Sequence, residues 1–172
     1  MKAYDMSAVT VLAVEPNAFM REILRELLDG LGVGRIVTAR SMAHASERLA
    51  EDNRIDMVLT ELDLEQNDGV DLIKAIRGHR DRRIRMLPLL VVSADTRIPR
   101  ILESRDAGAT EFLAKPVSAE TIYKRLVQLI ERPRSFVRVG DEYFGPDRRR
   151  QVKDFTGGDR RGADDRDAGA VV

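Results

Sequence analysis

Five times over residues 9–130, a short β-branched or aliphatic run is followed by a stretch whose apolar residues recur at helical spacing. Val9 to Val14 is the first run. Phe19, Met20, Ile23, Leu24, Leu27 and Leu28 follow at i, i+3 and i+4 spacing until Gly30 and Gly32 stop the pattern. Pro16 suits the first turn of that helix. Residues 33–39 give a second strand, and Ser41 caps a helix over residues 42–51. Asp56 to Thr60 is the third strand, followed by an acidic loop from Glu61 to Gly69 and a helix through Val70, Leu72, Ile73 and Ile76. Leu87 to Ser93 is the fourth and most apolar strand, with Ile98, Ile101 and Leu102 on the fourth helix. Glu111 to Ala114 is the fifth strand, and Ile122, Leu126, Leu129 and Ile130 mark the fifth helix, which ends before Pro133. Strands that alternate with helices demand a parallel sheet covered on both faces. Right-handed crossovers wind it doubly, and ligands then sit at the carboxyl ends of the strands.

Composition narrows what such a sheet carries. No cysteine is present, which excludes disulfides, thiolate metal sites and a cysteine nucleophile. The two histidines, His44 and His79, leave little for a histidine metal centre. The 29 basic and 29 acidic residues cancel, which argues against DNA as a partner. No apolar run approaches the ~20 residues that span a bilayer, and no signal-peptide core opens the chain. A cytoplasmic protein without membrane insertion is the expectation. Of the basic residues 24 are arginine, so where the arginines cluster decides whether they are functional.

The strand ends collect a specific set of side chains. The first strand ends in Glu15-Pro16-Asn17, the third in Thr60-Glu61 with Asp63 and Asp68-Gly69 beyond, the fourth in Ser93-Ala94 and the fifth in Lys115-Pro116. Carboxylates, a hydroxyl and an ammonium converging on one pocket are suited to holding Mg²⁺ and a phosphoryl group. Over residues 8–132 the chain resembles the response-regulator receiver domain of two-component signalling. Asp68-Gly69, Val91-Val92-Ser93-Ala94 and the segment Gly108 to Pro116 carry the resemblance. It implies the α/β receiver fold, a flavodoxin-like (βα)5 sandwich with a five-stranded parallel sheet. It further implies a cis Lys115–Pro116 bond, a switch aromatic at Phe112, no catalytic residue, and partner binding through the face of the fourth helix, fifth strand and fifth helix. Read without the family, Phe112 is a half-buried strand aromatic and Ser93 a strand-end hydroxyl.

The departures are at the chemistry. Counting back seven residues from Asp68 reaches the phosphoacceptor position, which is Glu61. The acidic pair after the first strand is Glu15-Pro16, and proline has no side-chain ligand. Glu15 and Glu61 are therefore the metal-ligand candidates of a pocket whose Mg²⁺ binding is weakened or lost. The expected pocket is Glu15, Asp63, Ser93 and Lys115 around Glu61, with an ion pair from Glu61 to Lys115 imitating part of an activated state. Asp63 as a substitute phosphoacceptor has the wrong register. The function expected is a stand-alone, chemotaxis-regulator-like signalling adaptor that binds a protein partner. The alternative is a working regulator still phosphorylated by a histidine kinase.

Residues 133–172 lack amphipathic period and are rich in Gly, Asp and Arg, so this extension is expected to be mostly disordered when free. It repeats Gly-x-Asp-Arg-Arg at residues 145–149 and 157–161. Arg148, Arg149, Arg150, Arg160 and Arg161 form the candidate ligand grip, because guanidinium forks bind phosphate and stack on rings. Three readings stand side by side: binding of cyclic di-GMP, docking on a partner protein, and a solvated tail. A second group, Arg77, Arg80, Arg82, Arg83 and Arg85, reads as solvated surface in a long loop before the fourth strand.

Overall fold

The computed structural model describes residues 4–140 and 143–148. Five parallel strands are ordered β2-β1-β3-β4-β5: β1 (Thr10–Val14), β2 (Arg35–Ala39), β3 (Met57–Thr60), β4 (Leu89–Ser93) and β5 (Glu111–Ala114). The helices between them are α1 (Ala18–Gly30), α2 (Met42–Glu51), α3 (Gly69–Arg77), the short α4 (Arg82–Arg85), α5 (Ile98–Ala107) and α6 (Ala119–Glu131). The helices expected fourth and fifth from sequence are thus α5 and α6, because the arginine-rich loop folds one turn of its own.

Strand side chains alternate between two cores, as period two requires. Val11, Ala13, Met57, Leu59, Leu90 and Val92 face Leu24 and Leu28 of α1 and Ile122, Leu126 and Leu129 of α6. Leu12, Val14, Val58, Leu89 and Val91 face Ala45 and Leu49 of α2 and Leu72, Ile73 and Ile76 of α3. Each buried aliphatic side chain contributes about 1.5–3 kcal/mol relative to exposure. In α5, by contrast, Ser104 alone is buried, while Ile98 and Leu102 are 71% and 40% exposed.

Local caps follow the sequence with one shift. Ser41 Oγ accepts from His44 N at 3.2 Å, as expected. Pro16 is not in the first turn of α1; Asn17 caps that helix, accepting from Met20 N at 3.0 Å.

The extension departs from expectation in its first part. Phe136–Val139 (β6) and Tyr143–Pro146 (β7) pair antiparallel, with Phe136 opposite Pro146 and Val139 opposite Tyr143. The aromatic and β-branched residues here give strand propensity that a tally of Gly, Asp and Arg hides. The rest of the extension, including Arg149, Arg150, Arg160 and Arg161, lies outside the described residues.

Candidate functional site

Backbone pairing continues one residue past the strands and sets the pocket. Glu15 N donates to Ala39 O at 3.0 Å, Glu61 N to Val14 O at 3.0 Å, and Lys115 N to Ser93 O at 2.9 Å. Three strand ends therefore present Glu15, Glu61 and Lys115 at fixed height. The cis Lys115–Pro116 bond is present.

Lys115 Nζ donates to Glu15 Oε2 at 2.7 Å and to Glu61 Oε2 at 2.6 Å. The remaining oxygens are also taken: Glu15 Oε1 accepts from Asn17 N at 3.0 Å, and Glu61 Oε1 from Leu62 N at 2.6 Å. The side chains of Lys115, Glu15 and Glu61 are 12%, 3% and 9% exposed. Burial pulls the Lys115 ammonium down, but the two carboxylate hydrogen bonds and charges outweigh it, so its pKa lies above the ordinary lysine value. The Glu61–Lys115 ion pair anticipated from sequence is joined by a second, to Glu15, that was not anticipated.

Two neighbours hold the carboxylates in place. Gly69 sits so close that a Cβ there would lie 2.2 Å from Glu61 O, and its N–H donates to Leu62 O at 2.7 Å. This close approach is the physical need for glycine in Asp68-Gly69. Arg21 donates to Glu15 O at 2.7 Å and Pro16 O at 3.0 Å, fixing the loop after β1. Only its proximity to that loop in sequence could have signalled it.

The side chains of Asp63 and Ser93 make their hydrogen bonds to neighbouring backbone. Asp63 is exposed, and its carboxylate accepts from Glu65 N at 3.1 Å, so it closes its own turn and does not join Glu61. Ser93 is buried, but its hydroxyl accepts from Asp95 N at 3.1 Å and stabilises the turn after β4. Among the described residues no hydrogen bond ties that hydroxyl to Glu61 or Lys115. Phe112 is half-buried against the core on the α2–α3 side. Asp68 caps α3 and pairs with Arg100 at 2.8 Å, which links the acidic loop to α5. Arg77, expected on a solvated surface, is 4% exposed. A charged residue at the end of an amphipathic helix reads as surface, but the carbonyls of Gly108, Arg85 and Leu87 and the Phe136 ring together enclose this one. Arg148 of the expected tail grip stacks 3.9 Å from the Tyr143 ring centroid and pairs with Asp106 at 3.0 Å.

A doubly wound sheet with carboxylates and a lysine gathered at its strand ends defines a receiver-type signalling module. Residues 11–127 match the response regulator receiver domain family. The chain is 30% identical over 122 residues to the chemotaxis protein CheY of Pseudomonas aeruginosa, covering 71% of this chain and 96% of that protein. It is 30% identical over 132 residues to chemotaxis protein CheY-3 of Vibrio cholerae, covering 77% and 99%. A putative response regulator from Chloroflexus aurantiacus matches with a TM-score of 0.66 at 27% identity, over 72% of this chain and 98% of that one. The receiver domain of a sensor histidine kinase from Pseudomonas aeruginosa, with a magnesium ion in its active-site cleft, matches with a TM-score of 0.61 at 25% identity, over 70% and 95%. The chain belongs to the response-regulator receiver family, in the CheY-like branch of two-component signalling. The hairpin at residues 136–146 lies beyond the family match.

The donor set here does not fit the magnesium site that the family implies. Position 16 offers no side-chain donor, and both oxygens of Glu15 and of Glu61 are occupied by Lys115 and backbone N–H groups. Among the described residues no three carboxylates or imidazoles gather to hold a metal ion.

Proposed function

We propose that this receiver signals by binding a protein partner and does not take up a phosphoryl group. The observation that carries the reading is the closed Glu15–Lys115–Glu61 cluster. Each Glu61 oxygen accepts one hydrogen bond, from Leu62 N and from Lys115 Nζ, which holds the carboxylate in place and draws electron density from it, and its side chain is 9% exposed. The cluster is formally one negative charge in excess, so an incoming phosphoryl dianion meets repulsion. Glu61 holds Lys115 where a modified acidic side chain would otherwise attract it, so the receiver is fixed in one state.

Support for the partner comes from α5, whose Ile98 and Leu102 are exposed. No described helix is long and apolar enough to cross a membrane. The test is incubation with acetyl phosphate and Mg²⁺, read by intact mass. The expected result is no phosphoryl adduct. A stoichiometric adduct that disappears in Glu61→Gln overturns the reading and restores the phosphotransfer alternative.

A cleft of ≈ 700 Å³ lined by Arg138, Tyr143 and Arg148, together with Asp106 and Asp147, favours a second reading, a ligand at the start of the extension. Cyclic di-GMP is the candidate, because guanidinium and phenol groups bind phosphate and stack on bases. Calorimetry on the full chain tests it: absence of heat removes the dinucleotide.

A further inference from the structure

The β6–β7 hairpin shares little apolar core with the body. Of its described residues, Gly145 and Pro146 are buried, Phe136, Val137, Tyr143 and Phe144 are half-buried, and Arg138 and Val139 are exposed. A lone two-stranded hairpin is marginal in water, so this one depends on what it touches. It touches arginines. The Arg77 guanidinium of α3 lies 5.0 Å from the Phe136 ring centroid, and that of Arg85 in α4 lies 4.9 Å from the Phe144 centroid. Ion pairs pin both ends: Arg134 to Glu111 of β5, and Arg148 to Asp106 of α5. The cation–ring contacts and the exposed Arg148–Asp106 pair contribute on the order of 0.5–1 kcal/mol each, far less than a buried aliphatic layer.

The body is arranged so that the hairpin can leave without orphaning a charge. Glu111 keeps Gln128 at 3.3 Å and Arg125 at 3.7 Å. Asp106 keeps Arg105 at 3.3 Å. Arg77 keeps the carbonyls of Gly108, Arg85 and Leu87 at 2.9, 2.9 and 2.8 Å. Among the described residues no carboxylate pairs with Arg77, and burial pushes its guanidinium down to about 9. It is still charged at neutral pH, so the docked hairpin covers a desolvated cation that undocking would rehydrate. That cost offsets part of the docking energy. The hinge is short: Arg132 to Ser135, including Pro133, joins the end of α6 to β6.

We propose that the hairpin is a displaceable cover of the α5–β5 flank, and that an acidic segment of a partner protein displaces it by taking Arg134 and Arg148 from Glu111 and Asp106. Glu111 and Asp106 stand on separate elements, whereas successive acids on one segment engage both arginines at high local concentration. With the hairpin docked, Pro146, Arg134 and Arg148 line one wall of a cleft of ≈ 320 Å³ against Ser104, Glu111 and Phe112, and displacement removes that wall. The inference stands on the hairpin contacts and is independent of whether Glu61 accepts a phosphoryl group.

Hydrogen–deuterium exchange on the full chain, with and without poly-L-glutamate, tests this. Without peptide, the amides of β6 and β7 exchange well ahead of those of β4. With peptide, exchange over residues 104–111 rises while that of β1 and β3 is unchanged. The double variant Arg134→Ala, Arg148→Ala shows the raised exchange without peptide and binds poly-L-glutamate about tenfold more weakly. Hairpin amides as slow as those of β4, or no change over residues 104–111 at saturating peptide, overturn the proposal.

Discussion

Lys115 and Arg77 are two cations shielded from water within one small fold, and their surroundings differ in kind. Lys115 lies between two carboxylates whose remaining oxygens are held by backbone N–H groups. Arg77 has three carbonyls and the face of a phenyl ring. Burial lowers both cations, yet Lys115 ends above its ordinary value and Arg77 falls to about 9, because only the first has full counter-charges. The strand-end cluster is thus held by full charges, whereas the hairpin is held by cation–ring contacts and an ion pair at each of its chain ends. The closed cluster lies within the family match, and the hairpin proposed above as a displaceable cover lies outside it.

The largest effect that would break this contrast is at Lys115. Replacing it with methionine leaves Glu15 and Glu61 buried against each other, and breaking a buried ion pair from one side costs about 3–5 kcal/mol. Urea unfolding at neutral pH reads this directly; a change near zero would mean that the cluster does not lock the pocket. The pH dependence adds a sign. The folded pKa of Lys115 is raised, so its contribution is complete below the unfolded value near 10.5 and is lost as pH rises through the higher folded value. Wild type therefore weakens on that alkaline limb, and Lys115→Met does not show that loss.

Next in size is Gly69→Ala. A Cβ at that position would lie 2.2 Å from Glu61 O, so the start of α3 must shift. Overpacking of this kind costs about 1–3 kcal/mol. The urea midpoint falls, and the NMR resonances of Glu61 and Lys115 move, if Gly69 positions the cluster as described. Unchanged resonances would detach the glycine from the site.

How far these two regions were legible beforehand follows from the same physics. The sheet was readable because its strands are buried runs and its helices carry one apolar stripe, so local pattern and final environment agree. Glu61 and Lys115 were readable because Asp68-Gly69 and the segment ending in Lys115-Pro116 fix where the strands stop. The second partner, Glu15, was placed in the pocket but not on Lys115, since pattern does not give side-chain direction. Asp63 and Ser93 were placed there too, although a carboxylate or hydroxyl at a loop start often bonds a backbone N–H two residues on. Arg77 and the hairpin were both missed: the arginine reads as exposed until three carbonyls and Phe136 enclose it, and the phenylalanine reads as part of a tail until Arg77 receives it.

Arg77→Met sharpens the comparison at lower cost. It removes a buried charge but leaves no carboxylate unpaired. The loss is that of donors to three carbonyls, about 1–3 kcal/mol, and it stays below the loss in Lys115→Met. Equal losses in the two variants would erase the distinction between the two regions.

The smallest effect is the most selective. Phe136→Leu keeps an apolar side chain over Arg77 but removes the ring quadrupole, which contributes about 0.5–1 kcal/mol where a cation stacks on an aromatic face. Because the hairpin is a peripheral unit, that loss appears in local opening before it appears in global unfolding. Hydrogen exchange of the β6 and β7 amides accelerates about two- to fivefold, while the urea midpoint of the five-stranded sheet is unchanged. Phe136→Tyr, which keeps a ring face over the guanidinium, restores the slow exchange. If leucine and tyrosine behave alike, shape and not charge seats the hairpin, and an acidic competitor would then have less hold on it.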